Sequence, residues 1–294
     1  MVEDRQHERS SASVAAAAAG LAVVQVRSDV GRYELAVPPD DHLADVIRRT
    51  GRPYEERLLR FLVALQGPSS GTVVDVGANI GNHTVFFARR GERVIAVEAN
   101  PGALAYLERN VERYDDVVIW PVAAGASPGR GHVAAGSTGQ LGQSRFEVDP
   151  AGPIEVVTLD SIDEPVSILK VDVEGGEEAV LEGARQLIRR SRPVVVVESW
   201  DVDHRRAIVR LLRPLGYRRF PLSLCATPTY VYVPSWPLLV RAWRTAKVPS
   251  RLVSLVLRIV GARCSGPAEC RRVRRSTASA PGPPSPTGRS RDRR

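Results

Sequence analysis

Apolar and polar residues alternate from 22 to 37, and the alternation breaks at Ser28-Asp29-Val30-Gly31. A period of two interrupted by turn-forming residues predicts a β-hairpin. Residues 43–66 instead repeat apolar positions every three to four residues, with Leu58, Leu59, Leu62 and Leu65 on one face, and this spacing predicts helix. Beyond 71, short apolar runs alternate with helical stretches. Strands are expected at 72–76, 93–98, 117–123, 168–173 and 193–198. Helices are expected from a Gly-rich turn through 90, from Pro101 to about 114, from about 177 to 190, and over 203–215. Proline suits the first turn of a helix. Residues 217–220 and 230–234 read as a closing antiparallel pair. Continuous apolar strands are those covered on both faces, and the strand–helix rhythm argues for a parallel sheet with right-handed crossovers. The predicted fold class is therefore α/β: a doubly wound, Rossmann-like, mostly parallel sheet with an antiparallel closing strand. Residues 125–154, rich in Gly, Ser and Gln, break the rhythm and read as short strands and a loop, and loops of that length are often functional.

The pattern divides the 294 residues into three parts. Residues 1–21 are polar and then Ala-rich, an extension expected to be disordered. The apolar stretch at 14–24 follows mixed acids and bases, unlike the basic start of a signal peptide. Residues 22–236 form the expected domain, with 22–66 as hairpin and helix and 67–236 as the Rossmann-like core. Residues 237–294 are a basic tail, partly helical and then Arg-, Pro- and Ser-rich and disordered. Charge sharpens this division. From Leu238 onward 14 Lys and Arg face 2 acids, so the net +8 of the whole chain leaves the preceding residues near −4. A mildly acidic domain makes nucleic acid an unexpected partner, since that would want a basic face on the domain itself. The tail, with Arg241, Arg244, Lys247, Arg251 and Arg258 among Leu, Val and Trp, is a candidate for weak contact with an anionic membrane surface, although Pro249 interrupts it. Cys225, Cys264 and Cys270 form neither a disulfide framework nor a zinc site, and no run reaches the ~18 apolar residues of a membrane span. A cytoplasmic setting, peripheral to a membrane at most, is the expectation.

Three segments carry candidate chemistry. In Val73-Val74-Asp75-Val76-Gly77-Ala78-Asn79-Ile80-Gly81-Asn82-His83-Thr84 a strand ends in an acid and a Gly-x-x-x-Gly turn opens a helix. Glycines allow the backbone to turn and a ligand to approach, and the helix start offers free N–H groups. The spacing departs from the dinucleotide Gly-x-Gly-x-x-Gly, and Asp75 beside the turn would welcome a cationic amine or sulfonium more than a pyrophosphate. Glu98 ends the next strand about twenty residues on, where an acid accepts ribose hydroxyls; alone, it would read as a helix-start acid before Asn100-Pro101. In Leu169-Lys170-Val171-Asp172-Val173-Glu174-Gly175-Gly176-Glu177, the fourth core strand lies beside the first, so Asp172 and Glu174 end near the ligand's reactive end. Lys170 and Asp172 point to the same side. Glu177 and Glu178 simply suit a helix N-terminus, whereas a carboxylate in an apolar strand, as at Asp172, needs a partner or a purpose.

With these segments quoted, the chain resembles the FkbM-type methyltransferases: VVDVGANIGNHTVFFA, RVIAVEANP and ILKVDVEGGEEAVLEGA occur in the family's order, and Gly51-Arg52-Pro53-Tyr54-Glu55 is similar to its leading segment. The resemblance covers about residues 22–234. It implies S-adenosylmethionine as the methyl donor and O-methylation of a hydroxyl on a sugar, glycolipid or secondary metabolite, so that the partner is a small-molecule or glycan acceptor. It implies that Asp75, Gly77, Asn79, Gly81, Glu98 and Asn100 bind the donor, that Lys170, Asp172 and Glu174 line the methyl-transfer site, and that Tyr54 and Glu55 stand at the pocket mouth. After the third strand, Val122-Ala123-Ala124-Gly125 supplies no acid or amide for the adenine.

Asp172 is the first candidate for the base that takes the hydroxyl proton, Glu174 the second, with Lys170 orienting the carboxylate or the acceptor. His83 either faces the ligand or lies on a helix surface, and Trp200 either stacks on a sugar or packs. Asp201, Asp203 and His204 sit where a helix starts and acids are ordinary, so no metal is expected. Two rival functions remain at this point, an NAD-dependent oxidoreductase and a non-catalytic S-adenosylmethionine-binding module. The oligomeric state is open.

Overall fold

The computed structural model describes residues 21–39, 41–66, 71–134, 141–220 and 227–234, all within one compact unit, Met1–Thr245. The expectations for residues 1–20, for the basic tail and for the three cysteines lie outside the described residues. The chain opens with the hairpin β1 (Ala22–Ser28) and β2 (Gly31–Val37), paired in the register that the turn at 28–31 demands. The single helical stretch expected over 43–66 is two helices, α1 (His42–Thr50) and α2 (Glu56–Gln66). Gly51 closes α1 in the left-handed region, with its N–H donated to Ile47 O, and Pro53 cannot continue the ladder. The four leucines expected on one face of α2 are all buried, each worth about 1.5–3 kcal/mol of apolar transfer.

The core follows as β3 (Thr72–Val76), α3 (Asn82–Ala88), β4 (Val94–Val97), α4 (Pro101–Val111) and β5 (Val117–Trp120). The third core strand is shorter than expected because Pro121 removes a donor. The chain then re-enters as β6 (Ala123–Ala124) and builds a second sheet with β7 (Gly129–Ala134), β8 (Arg145–Val148) and β9 (Ile154–Val157), in the order β6-β9-β7-β8. Next come β10 (Val166–Val171), α5 (Glu177–Glu182), α6 (Arg185–Ser191), β11 (Val194–Glu198), α7 (Val202–Leu212), β12 (Arg218–Arg219) and β13 (Thr229–Val233). The helix expected over 177–190 is split by Asp160, whose N–H donates to Gly183 O while its Oδ1 accepts the N–H of Leu187 in the first turn of α6. Proline 214 tightens the end of the helix expected to reach 215.

The main sheet has the order β12-β13-β11-β10-β3-β4-β5, parallel from β11 to β5, with β13 antiparallel to β11 and β12 antiparallel to β13. Val74, Val76, Leu169, Val171, Val195 and Val197 pack one face against α5, α6 and α7. The hairpin, α1, α3 and α4 cover the other. Asn110 locks that cover down: its amide exchanges hydrogen bonds with Ala36 N and O and donates to Ile80 O. Strand order reverses between β3 and β10, and the carboxyl ends of strands at such a reversal form the crevice where ligands bind in open α/β sheets.

Candidate active site

A cavity of ≈590 Å³ opens at those strand ends, within the size range of small-molecule sites. One wall is the turn after β3. Gly77 has φ 72, and a Cβ there would fall 1.7 Å from Asp172 O, so only glycine lets this turn lie on the chain leaving β10. Gly77 N and Ala78 N both donate to Val97 O, tying the turn to the end of β4. Glu98 accepts the N–H of Asn79 at 2.7 Å on one oxygen and the N–H of Asn100 at 2.7 Å on the other. Burial raises its pKa, and the two amides offset part of that rise. Asn100 caps α4 through Gly102 N and donates to Ser144 Oγ. Gly77, Asn79, Glu98 and Asn100 all line the cavity.

Asp75 and Gly81 do not reach the cavity wall. Asp75 is 1% exposed; it accepts a 2.7 Å hydrogen bond from Thr84 Oγ1 and faces Lys170 Nζ at 3.1 Å. The strand register pairs Lys170 with Asp75 directly, which makes this contact lateral within the sheet. A direct role for Asp75 at a cationic ligand is therefore corrected: its charge is spent on Lys170. Gly81 starts α3 in the left-handed region and serves the turn behind the wall. Lys170 is likewise committed. Besides Asp75 it meets Gly77 O at 3.2 Å and Asp172 Oδ2 at 3.5 Å. Burial disfavours its charge, but Asp75 and Asp172 outweigh it and hold the ammonium above the ordinary lysine range.

The wall at the ends of β10 and β11 is acidic. Asp172 follows β10, and its side chain is 34% exposed, so it lies open to the cavity where a carboxylate buried in an apolar strand had been expected. Glu174 holds φ 56, and Arg145 Nε donates to its carbonyl. Burial, then Asp172 and Glu177, push the Glu174 carboxyl up to about 7. Glu198 ends β11 and is 4% exposed; burial, then Asp172 and Glu174, push it up to about 9, with Trp200 opposing only in part.

The mouth was only partly legible in the sequence. Asn82 accepts the N–H of Tyr54 and donates to its carbonyl, holding the leading segment over α3. That places Glu55, itself at φ 56, with Oε2 3.5 Å from His83 Nε2 and its other oxygen accepting from Thr227 Oγ1. His83 is buried and lines the cavity. Burial, then Lys170, lower its pKa, with Glu55 opposing. Trp200 is 63% exposed at the rim. Asp201 caps α7 through His204 N, as an acid at a helix start should. Among the described residues, three of the four non-glycines with positive φ, Glu55, Asn79 and Glu174, line this cavity, and such strain gathers at functional sites. Ala123, Ala124 and Gly125, with Val133, Phe146 and Val156 from the second sheet, make an apolar wall beyond Glu98.

A seven-stranded sheet with this order and a cavity at its switch point define the Rossmann-like methyltransferase fold. The family model of the methyltransferase FkbM domain matches residues 75–219, close to half of the chain. The hexuronic acid methyltransferase AglP of Haloferax volcanii is 29% identical over 157 residues, 51% of this chain and 64% of that protein. A probable ribosomal RNA small subunit methyltransferase A of Methanosarcina acetivorans is 39% identical over 66 residues, 22% of this chain and 23% of that one. The chain thus spans less than two thirds of the length of either. The crystal structure of methyltransferase FkbM from Methylobacillus flagellatus is similar with a TM-score of 0.40 and 21% identity, over 56% of this chain and 43% of that one. Among the described residues no helix is long and apolar enough to cross a membrane.

Proposed function

We propose that this protein transfers a methyl group from S-adenosylmethionine to a hydroxyl of a sugar, glycolipid or secondary metabolite. The observation that carries the reading is one cavity with two unlike walls: Glu98 and the Gly77–Asn79 turn on one side, Asp172 and Glu174 on the other, inside an FkbM domain. The donor fits the first wall. Asn79 Oδ1 is buried there with no hydrogen-bond partner among the described residues, Glu98 keeps acceptor capacity beyond its two amide bonds, and the apolar wall lies beside them. Ribose hydroxyls suit Glu98, and a flat base suits the Ala123–Ala124 wall, where shape takes the place of a polar contact.

When bound, the donor supplies an already activated methyl group. The chain's own task is alignment: to hold the acceptor oxygen behind that carbon with water excluded, which is where most of the rate arises. Asp172, turned into the cavity and oriented by Lys170, accepts the hydroxyl proton, with Glu174 as the second candidate. Trp200 at the rim offers a face on which a sugar ring can stack. The hexuronic acid specificity in the name of one relative makes uronic acid conjugates the first acceptors to try.

The experiment offers methyl-labelled S-adenosylmethionine to the full chain with uronic acid conjugates, neutral glycosides and a host extract. A labelled methyl ether is expected. Donor that binds while no acceptor is ever labelled would favour the non-catalytic module, and NAD bound in its place would favour the oxidoreductase.

A further inference from the structure

The ends of β10 and β11 bring Asp172, Glu174 and Glu198 together, each offering one oxygen, with the three oxygens within 4.8 Å of one another. Acidic side chains often cluster without a ligand, so the case turns on Glu198. It is 4% exposed and faces the cavity, and its Oε2 is fully buried with no hydrogen-bond partner among the described residues. A buried carboxylate oxygen left unmatched is costly, and natural sites match it with a donor or a cation. The nearby protein cations do not serve. Lys170 is shared among Asp75, Gly77 O and Asp172 Oδ2, and Arg145 bonds the carbonyl of Glu174.

We propose that Asp172, Glu174 and Glu198 bind one hard divalent cation, of the magnesium or manganese type, at the acceptor end of the cavity. Oxygen-only ligands select such ions, and three carboxylates leave positions of an octahedron open for water or a hydroxyl. Asp201, Asp203 and His204 are neighbours in sequence, whereas Glu198 comes from a different strand than the one Asp172 and Glu174 follow. The cation's role, though not its binding, rests on the methyltransferase reading. A coordinated acceptor hydroxyl is acidified; its oxygen forms the bond to the methyl carbon as the carbon–sulfur bond breaks, and its proton passes to a carboxylate oxygen not engaged with the ion.

The test is Mn²⁺ titration of the full chain, followed by electron paramagnetic resonance, with S-adenosylhomocysteine affinity measured in parallel by calorimetry. One Mn²⁺ per chain is expected, displaced by Mg²⁺. Glu198→Gln and Glu174→Gln should each weaken it by more than the about 10- to 100-fold that losing a residue which merely holds a ligand costs. Asp203→Asn, on the exposed start of α7, should leave it unchanged. Should Glu198→Gln fail to fold, the half-buried Glu174 position decides alone. No Mn²⁺ bound below millimolar concentration, or binding indifferent to both variants, overturns the site. In that event retained S-adenosylhomocysteine binding leaves the donor reading standing; conversely, Mn²⁺ bound as expected without S-adenosylhomocysteine binding would overturn the donor reading alone.

Discussion

The two walls of the cavity are built by opposite means. Around β3 and β4 every carboxylate is matched: Asp75 by Thr84 and Lys170, Glu98 by two backbone amides. Around β10 and β11 three carboxylates converge with cations that are already occupied. A wall whose carboxylates are matched in advance is rigid and can present fixed acceptors to a ligand at little reorganisation cost. A wall left short of cations relieves the repulsion among its carboxylates by taking up a proton or an incoming group. On the proposed function, the first wall holds the donor in one pose and the second meets the group that changes charge during the reaction.

The largest expected effect of breaking this contrast falls on the second wall. Asp172→Asn keeps shape but cannot take a proton, so turnover should fall by about 10²–10⁴, in kcat more than in KM. Steady-state kinetics with an identified acceptor would check it, and near-normal kcat would remove Asp172 from the base role. Gly77→Ala strikes the contact between the walls. Its Cβ meets Asp172 O at 1.7 Å and must adopt φ 72, so the domain should lose about 3 kcal/mol or more. That corresponds to a Tm lower by roughly 6–12 °C; an unchanged melting curve would show that the turn lies elsewhere. Glu98→Ala, on the first wall, should cost about 1–3 kcal/mol of S-adenosylhomocysteine binding, the worth of hydrogen bonds to a charged group. Calorimetry with equal affinities would end its ribose role.

The smallest effect concerns His83, between the walls. Its folded pKa is depressed by burial and by Lys170, so the folded protein resists a proton that the unfolded chain accepts. Its contribution to stability is full above the ordinary histidine pKa of about 6.5 and declines as pH falls below it. Urea midpoints at pH 7.5 and 5.5 should therefore separate more for the wild type than for His83→Gln. Equal separation would mean that His83 is not held neutral.

Much of the first wall was legible in the sequence because it is local: one strand, one turn and one acid about twenty residues on. Gly77, Asn79, Glu98 and Asn100, the residues expected at the donor, all line the cavity. The misreadings there were of partnership. No spacing announces that Asp75 faces Lys170, because that contact is made by strand register across 95 positions of sequence. The second wall was half legible. Asp172 and Glu174 stood in a motif, while Glu198, at the end of the strand expected over 193–198, stood in none of the three segments. Residues 125–154 read as short strands and a loop because their strands are brief and Gly-rich, although Arg145-Phe146-Glu147-Val148 does alternate. Least visible were the single side chains that tie distant segments together, Asn82 to Tyr54 and Asn110 to Ala36, since one amide among polar residues carries no periodic signal.

The central claim is that the first wall holds S-adenosylmethionine. Isothermal titration of the full chain with S-adenosylhomocysteine and, separately, with NAD tests it most directly. The account predicts one S-adenosylhomocysteine bound per chain, weakened in Glu98→Ala, and no measurable heat from NAD. Binding of NAD with no response to S-adenosylhomocysteine would contradict it.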